Sequence, residues 1–164
     1  MAERRVHIPK LKGHRCFACG TANPIGLNLS FYRQGGYICS DITLGENHEG
    51  WENMAHGGIA STLLDEIMSW AMIYFKRSFF VTRRMSIKYL KPVPLHTPLT
   101  AKGMVEGEKR RLCKARGFIQ DGDQAVLARA EATFALLFDE DLRLVPDALK
   151  AEMKGLFELF KGMD

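Results

Sequence analysis

The sequence predicts an α+β fold in which one antiparallel sheet of about six strands wraps around a single long central helix, with an additional helix at the C-terminus. Two observations carry this expectation. Residues 57–75 are apolar over half of a helical cylinder, too wide a stripe for a helix with one covered face. Around that run lie two β-like stretches before it and four after it, joined by links too short for parallel crossovers. A sheet curled around the helix buries both faces at once.

The elements follow in order. Residues 1–25 show no periodicity and end in the turn cluster Asn23-Pro24-Ile25-Gly26, so they read as an ordered but irregular segment. Residues 27–33 alternate as a half-buried strand, Gln34-Gly35-Gly36 turns, and residues 37–44 form the second arm of a hairpin. A polar loop, residues 45–55, carries Trp51 and leads into Gly57-Gly58. The helix spans about 28 Å, with Ile59, Leu63, Ile67 and Trp70 in the apolar half and Asp65, Ser69, Thr62 and Glu66 in a narrower polar sector. Strands are expected at 79–90, 99–108, 111–120 and 124–138, separated by Lys91-Pro92-Val93-Pro94, a turn near Gly107, and Asp121-Gly122-Asp123. Pro146 opens a final helix whose stripe of Leu149, Met153, Leu156, Phe157 and Phe160 packs on the sheet, on another subunit or on a membrane surface.

Composition narrows the functional classes. The 164 residues are 46% hydrophobic and 26% charged, the balance of one globular domain. The net charge of +4 is scattered, without a basic tract or an aromatic-interleaved basic helix, so a nucleic-acid partner is not expected and a small anionic ligand is. No apolar run reaches spanning length and the first residues lack a signal-peptide core, so the expected protein is cytoplasmic with no membrane partner. The four cysteines do not form a secreted disulfide framework. Cys16 and Cys19 have chelating spacing, with His14 just before them, but no second Cys-X-X-Cys or His pair follows. They read as a structural thiol pair, and no metal ligand or cofactor is assigned.

The chemistry-bearing stretch is His56-Gly57-Gly58 followed by Asp65. Glycines opening a helix expose backbone N–H donors that polarise a carbonyl. A carboxylate in partly dry surroundings serves as base or nucleophile. Gly57 and Asp65 are eight residues apart, roughly 12 Å along one helix, too far to hold one reacting group between them. Two copies of the helix would have to meet.

These residues resemble the hotdog-fold acyl-CoA thioesterases, in particular the phenylacetic-acid-pathway (PaaI-like) type. The likeness rests on Cys16-Phe17-Ala18-Cys19-Gly20 with Asn23-Pro24-Ile25-Gly26-Leu27, on His56-Gly57-Gly58 with Asp65, and on Tyr89-Leu90-Lys91-Pro92-Val93. It implies that the Gly57 amide, seconded by Gly58 and the helix dipole, holds the thioester carbonyl. It implies that Asp65, from the opposite subunit of a homodimer or a dimer of dimers, is nucleophile or general base. His56 is read mainly as fixing the helix entry, with acid–base work as the alternative. Some relatives place an Asn six residues before the His; Gly50 stands there, and Asn53 and His48 are the nearby candidates for its role. Thr82, Arg83 and Arg84, and Lys109, Arg110 and Arg111, fall where similar enzymes line the acyl pocket or hold nucleotide phosphates.

The expected partition is residues 1–25 as the N-terminal segment, 26–140 as the thioesterase domain and 141–164 as the packed amphipathic helix. The expected function is hydrolysis of an acyl-CoA thioester to the free acid and CoA. The alternatives are a non-catalytic acyl-CoA or lipid-binding protein and a hotdog dehydratase or hydratase; the last would need a catalytic His with a partner acid.

Overall fold

The long apolar run forms α1, Gly57–Lys76, in the computed structural model of the chain, which describes residues 3–163. Leu63, Leu64, Ile67, Met68, Ala71, Met72 and Tyr74 are each fully enclosed, so the wide stripe is buried as its width requires. The helix ends on Arg77 in the left-handed conformation at φ 48°, whose N–H closes the last turn on Ile73.

Seven antiparallel strands surround α1: β1 (Val6–Ile8), β2 (Phe31–Gln34), β3 (Tyr37–Thr43), β4 (Phe79–Tyr89), β5 (Pro98–Lys109), β6 (Leu112–Gln120) and β7 (Val126–Leu137). Their spatial order is β1-β2-β3-β5-β6-β7-β4. The hairpin β2–β3 turns on Gly35, at φ 59°, where a side chain on an L-residue is strained. The helix passes close over β5 and β6 because both carry glycine at the crossing. A Cβ on Gly103 would lie 2.4 Å from the Ile67 carbonyl oxygen, and one on Gly117 would lie 3.0 Å from Met68 Cγ. These glycines set the distance between helix and sheet.

The strand count corrects the sequence expectation. The segment read as irregular contains β1, which pairs with β2 through Ile8 opposite Phe31. Three residues are too few to show alternation, so the strand had no periodic signal. The first arm of the hairpin starts at Phe31, not residue 27, because Leu27 and Leu29 donate instead to the carbonyls of Phe17 and Ala18. Residues 1, 2 and 164 of the expected terminal segments lie outside the described residues.

The terminal helix, α2 (Asp147–Lys161), starts after Pro146 as the sequence indicates. It packs on this chain: Phe157 meets Phe79 edge-on at 5.6 Å, and Phe160 lies 5.1 Å from Tyr74. No helix among the described residues is long and apolar enough to cross a membrane.

Candidate active site

The start of α1 is built by its own short-range chemistry. His56 is the N-cap, and its Nδ1 accepts from the Gly58 N–H at 2.9 Å. A Cβ on Gly58 would come within 2.9 Å of that same nitrogen, so the second glycine makes room for the imidazole that caps it. The Ile59 and Ala60 amides turn back to the His56 carbonyl. Among the described residues no acceptor takes the Gly57 N–H. One donor at an exposed helix N-terminus is therefore left for a ligand, with the helix dipole behind it. His56 occupies the entry-fixing role, and its Nδ1 is committed to it.

A neighbour not assigned from the sequence completes this end. The Tyr89 hydroxyl, at the end of β4, lies 2.7 Å from Ser61 Oγ, and both are within reach of the Gly57 carbonyl, at 3.1 and 2.8 Å. Tyr89 stood in the Tyr-Leu-Lys-Pro-Val stretch; what reveals it is the fold, which brings the last residue of β4 back to the first turn of α1. The glycine peptide is thus held from its carbonyl side while its N–H stays free.

Asp65 is half-buried two turns along the helix, where Thr82 Oγ1 donates to its Oδ1 at 3.0 Å. Its other oxygen has no partner among the described residues. Thr82 is followed by a β-bulge at Arg83, where β4 slips against β7 between Thr82 and Arg84. Arg83, Arg110 and Arg111 line one groove of about 750 Å³ together with Lys109 and Lys114. Arg110 sits in the β5–β6 turn at φ 58°. Arg111 is anchored over the Phe138 ring at 4.5 Å and lies 3.5 Å from Asp141. Arg83 and Arg110 have no ion-pair partner among the described residues, so this groove holds free positive charge.

The loop before α1 is tied down by its backbone. His48 accepts the Gly45 N–H on Nδ1, and its carbonyl takes the His56 N–H. Asn53, at φ 62°, receives the Leu95 N–H on its carbonyl. Gly50 has no room for a side chain: a Cβ there would lie 2.8 Å from His56 Cα. The glycine in place of the relatives' Asn is therefore part of this loop's close packing against the helix start. Trp51 stands 80% exposed beside it.

Glu66 departs from its expected place on a polar helix face. It turns inward, its carboxylate accepts from Trp70 Nε1 at 3.0 Å, and burial pushes its pKa up. Burial likewise raises the Cys19 thiol, which faces it. This second polar centre lies away from Asp65, on the side of the helix covered by residues 10–20.

The layout is that of a hotdog fold, one sheet around one long helix with a free amide at the helix start. Residues 52–128, which hold α1, β4, β5, β6 and the start of β7, match the thioesterase superfamily model. No curated protein matches the chain in sequence. Among solved structures, one described as a thioesterase superfamily protein is 25% identical with a TM-score of 0.67; the match covers 70% of this chain and 56% of that one. A hypothetical thioesterase of Streptococcus pneumoniae, solved with coenzyme A, is 24% identical over 66% of this chain and 88% of that one, with a TM-score of 0.59. The PaaI protein from the phenylacetic acid degradation operon of E. coli is 18% identical over 68% of this chain and 81% of that one, with a TM-score of 0.63. The chain has the hotdog fold, and residues 52–128 within it match the thioesterase superfamily model.

Proposed function

We propose that the protein is an acyl-CoA thioesterase in which the Gly57 amide polarises the thioester carbonyl and Asp65 of the neighbouring subunit attacks it or activates water. The observation that carries this reading is the free Gly57 N–H at the mouth of a helix whose carboxylate, Asp65, is fixed by Thr82 with one oxygen open. Hydrolysis places negative charge on the carbonyl oxygen, and one preorganised donor there is worth about 3 kcal/mol of barrier. A carboxylate positioned against the carbonyl carbon or a water adds about two to four orders of magnitude. Two helices side by side and antiparallel bring the glycine of one to the aspartate of the other. The eleven-residue edge strand β4, one side unpaired and with Val81 and Tyr89 exposed, is suited to such pairing.

In this reading Arg83, Arg110 and Arg111 take the nucleotide phosphates, supported by the groove they share and by the coenzyme A named for the streptococcal structure. Alanine variants of that same streptococcal protein were made at an aspartate and a threonine 16 positions apart; Asp65 and Thr82 are 17 apart. A homodimer or dimer of dimers and a cytoplasmic location belong to this reading as well. The absence of room at Gly50 favours one second reading, a hotdog protein that binds acyl-CoA without turning it over.

Free-thiol release from short, long and aryl acyl-CoAs, measured for the wild type and for Asp65→Ala, tests the assignment. Turnover by the wild type and its loss in the variant are expected. Equal rates overturn the role of Asp65, and binding without turnover by the wild type moves the protein to the second reading.

A further inference from the structure

We propose that Cys16, Cys19 and Glu66 form a binding site for a zinc-like divalent cation that clamps the N-terminal segment to the central helix. Each of these residues offers one ligand atom, and the three atoms lie within 4.8 Å of one another. The sequence supplies the cysteines as a pair but hides their partner, 47 positions away on a helix face that reads as polar.

The cysteine turn is shaped for chelation. The Cys19 N–H points at Cys16 Sγ at 3.5 Å, and the Gly20 N–H closes the turn on the Cys16 carbonyl at 2.9 Å. Gly20 is required there, since a Cβ would lie 2.5 Å from both the Cys16 nitrogen and the His14 carbonyl oxygen. The turn therefore holds both sulfurs on one side, with a backbone amide directed at the first of them. Glu66 is oriented from behind by Trp70 Nε1, which occupies one carboxylate oxygen and leaves the other for a cation, as supporting hydrogen bonds do in metal sites.

The donor set selects the cation. Two sulfurs and one carboxylate suit zinc and its borderline neighbours, and exclude calcium and magnesium, which take oxygen ligands. Binding is Zn²⁺ plus two thiols giving a dithiolate complex and two released protons, with no change of oxidation state. Two thiolates and a carboxylate leave one net negative charge, and Lys10 Nζ sits beside the site on the Cys19 carbonyl at 2.9 Å. Three protein ligands leave a fourth position, which opens on a cavity of about 290 Å³ bordered by His14 and Met153. The His14 Nε2 is engaged with Glu152 of α2 at 2.7 Å, so water is the fourth ligand in this arrangement.

Cobalt titration of the reduced full-length protein tests the site. One equivalent of Co²⁺ should give thiolate-to-cobalt charge-transfer absorption and tetrahedral visible bands, both displaced by one equivalent of Zn²⁺. Cys16→Ser and Cys19→Ser should abolish the charge-transfer signal. Glu66→Gln, close in shape and able to keep the Trp70 contact, should keep the sulfur bands while weakening affinity by more than the ~10-fold that loss of a supporting hydrogen bond costs. Added Zn²⁺ should raise the melting temperature of the wild type more than that of Glu66→Gln. No Co²⁺ uptake by the reduced protein, uptake unchanged in Cys19→Ser, equal affinity in Glu66→Gln, or a Cys16–Cys19 disulfide that binds no metal after reduction would each overturn the proposal. None of these readouts depends on thioester turnover.

Discussion

Thr82 Oγ1 donates to Asp65 Oδ1 at 3.0 Å, joining the exposed edge strand β4 to the middle of α1 and leaving one carboxylate oxygen open. An acid held this way has a fixed direction. Thr82→Ala should therefore lower kcat about tenfold with little change in KM, because orientation is lost while the group remains. Thr82→Ser should restore most of the rate. Asp65→Asn should cost at least the ~10²-fold that general acid–base catalysis contributes. Steady-state thiol release from one good acyl-CoA substrate compares all three; equal losses for the two Thr82 variants would reject the hydrogen-bonding role.

The helix cap is a stability element as well as an entry to the site. His56→Ala removes the acceptor of the Gly58 N–H and should destabilise the fold by about 1 kcal/mol. His56→Asn, which carries a capping side-chain oxygen, should recover much of this. Urea denaturation followed by circular dichroism reads both values.

Helix–sheet spacing predicts a contrast between glycines on a single strand. Gly103→Ala would press a methyl into the Ile67 backbone carbonyl, which cannot swing away as a side chain would, and should destabilise by at least the ~1–3 kcal/mol of core overpacking. Gly107→Ala, with nothing within 4 Å, should stay within about 0.5 kcal/mol of the wild type. Thermal melts of the two variants check this directly.

The cationic groove predicts a binding effect separate from chemistry. Arg83→Ala should raise KM for acyl-CoA about tenfold and leave kcat nearly unchanged. The effect should shrink at high salt and vanish with an acyl-pantetheine that lacks the nucleotide. Arg111→Ala is a poorer probe, since it also removes the stacking on Phe138.

Acid sensitivity should come partly from Asp41. Burial raises its carboxyl, but hydrogen bonds from Thr100, Tyr32 and Arg5 outweigh it and leave the pKa below the ordinary 3.8. A carboxylate depressed in the folded state contributes stability that is present above its unfolded pKa and lost as pH falls through the folded value. Asp41→Asn should flatten the fall in stability below about pH 4, by less than about 1 kcal/mol for so exposed a group. Melting temperatures of both proteins from pH 6 down to pH 3 give the comparison.

Much of the fold was legible because its signals are local. The bounds of α1 follow from a cap, two glycines and a continuous apolar arc, all within twenty residues. Pro146 marks the start of α2 through its missing N–H and fixed φ. The strand β1 was hidden because three residues carry no period, and its existence depends on β2 being present to pair with it. At the candidate site, His56, Gly57 and Asp65 stood out by type and spacing. Thr82 entered only through the resemblance and Tyr89 only as part of a matching stretch, because their contacts with α1 span 17 to 32 positions and arise only when β4 folds back along the helix.

Glu66 marks the boundary most clearly. By itself the sequence determined that a carboxylate follows Asp65 on the central helix and that two cysteines share a tight turn near the N-terminus, since residue type and short spacing are local properties. Only the tertiary structure decided that they meet. Residues 10–20 fold over that side of α1, cover much of Glu66 and place both sulfurs beside it. The physical reason is that a helical angle gives a residue's direction from the axis, whereas its surroundings are set by whichever distant segment packs there.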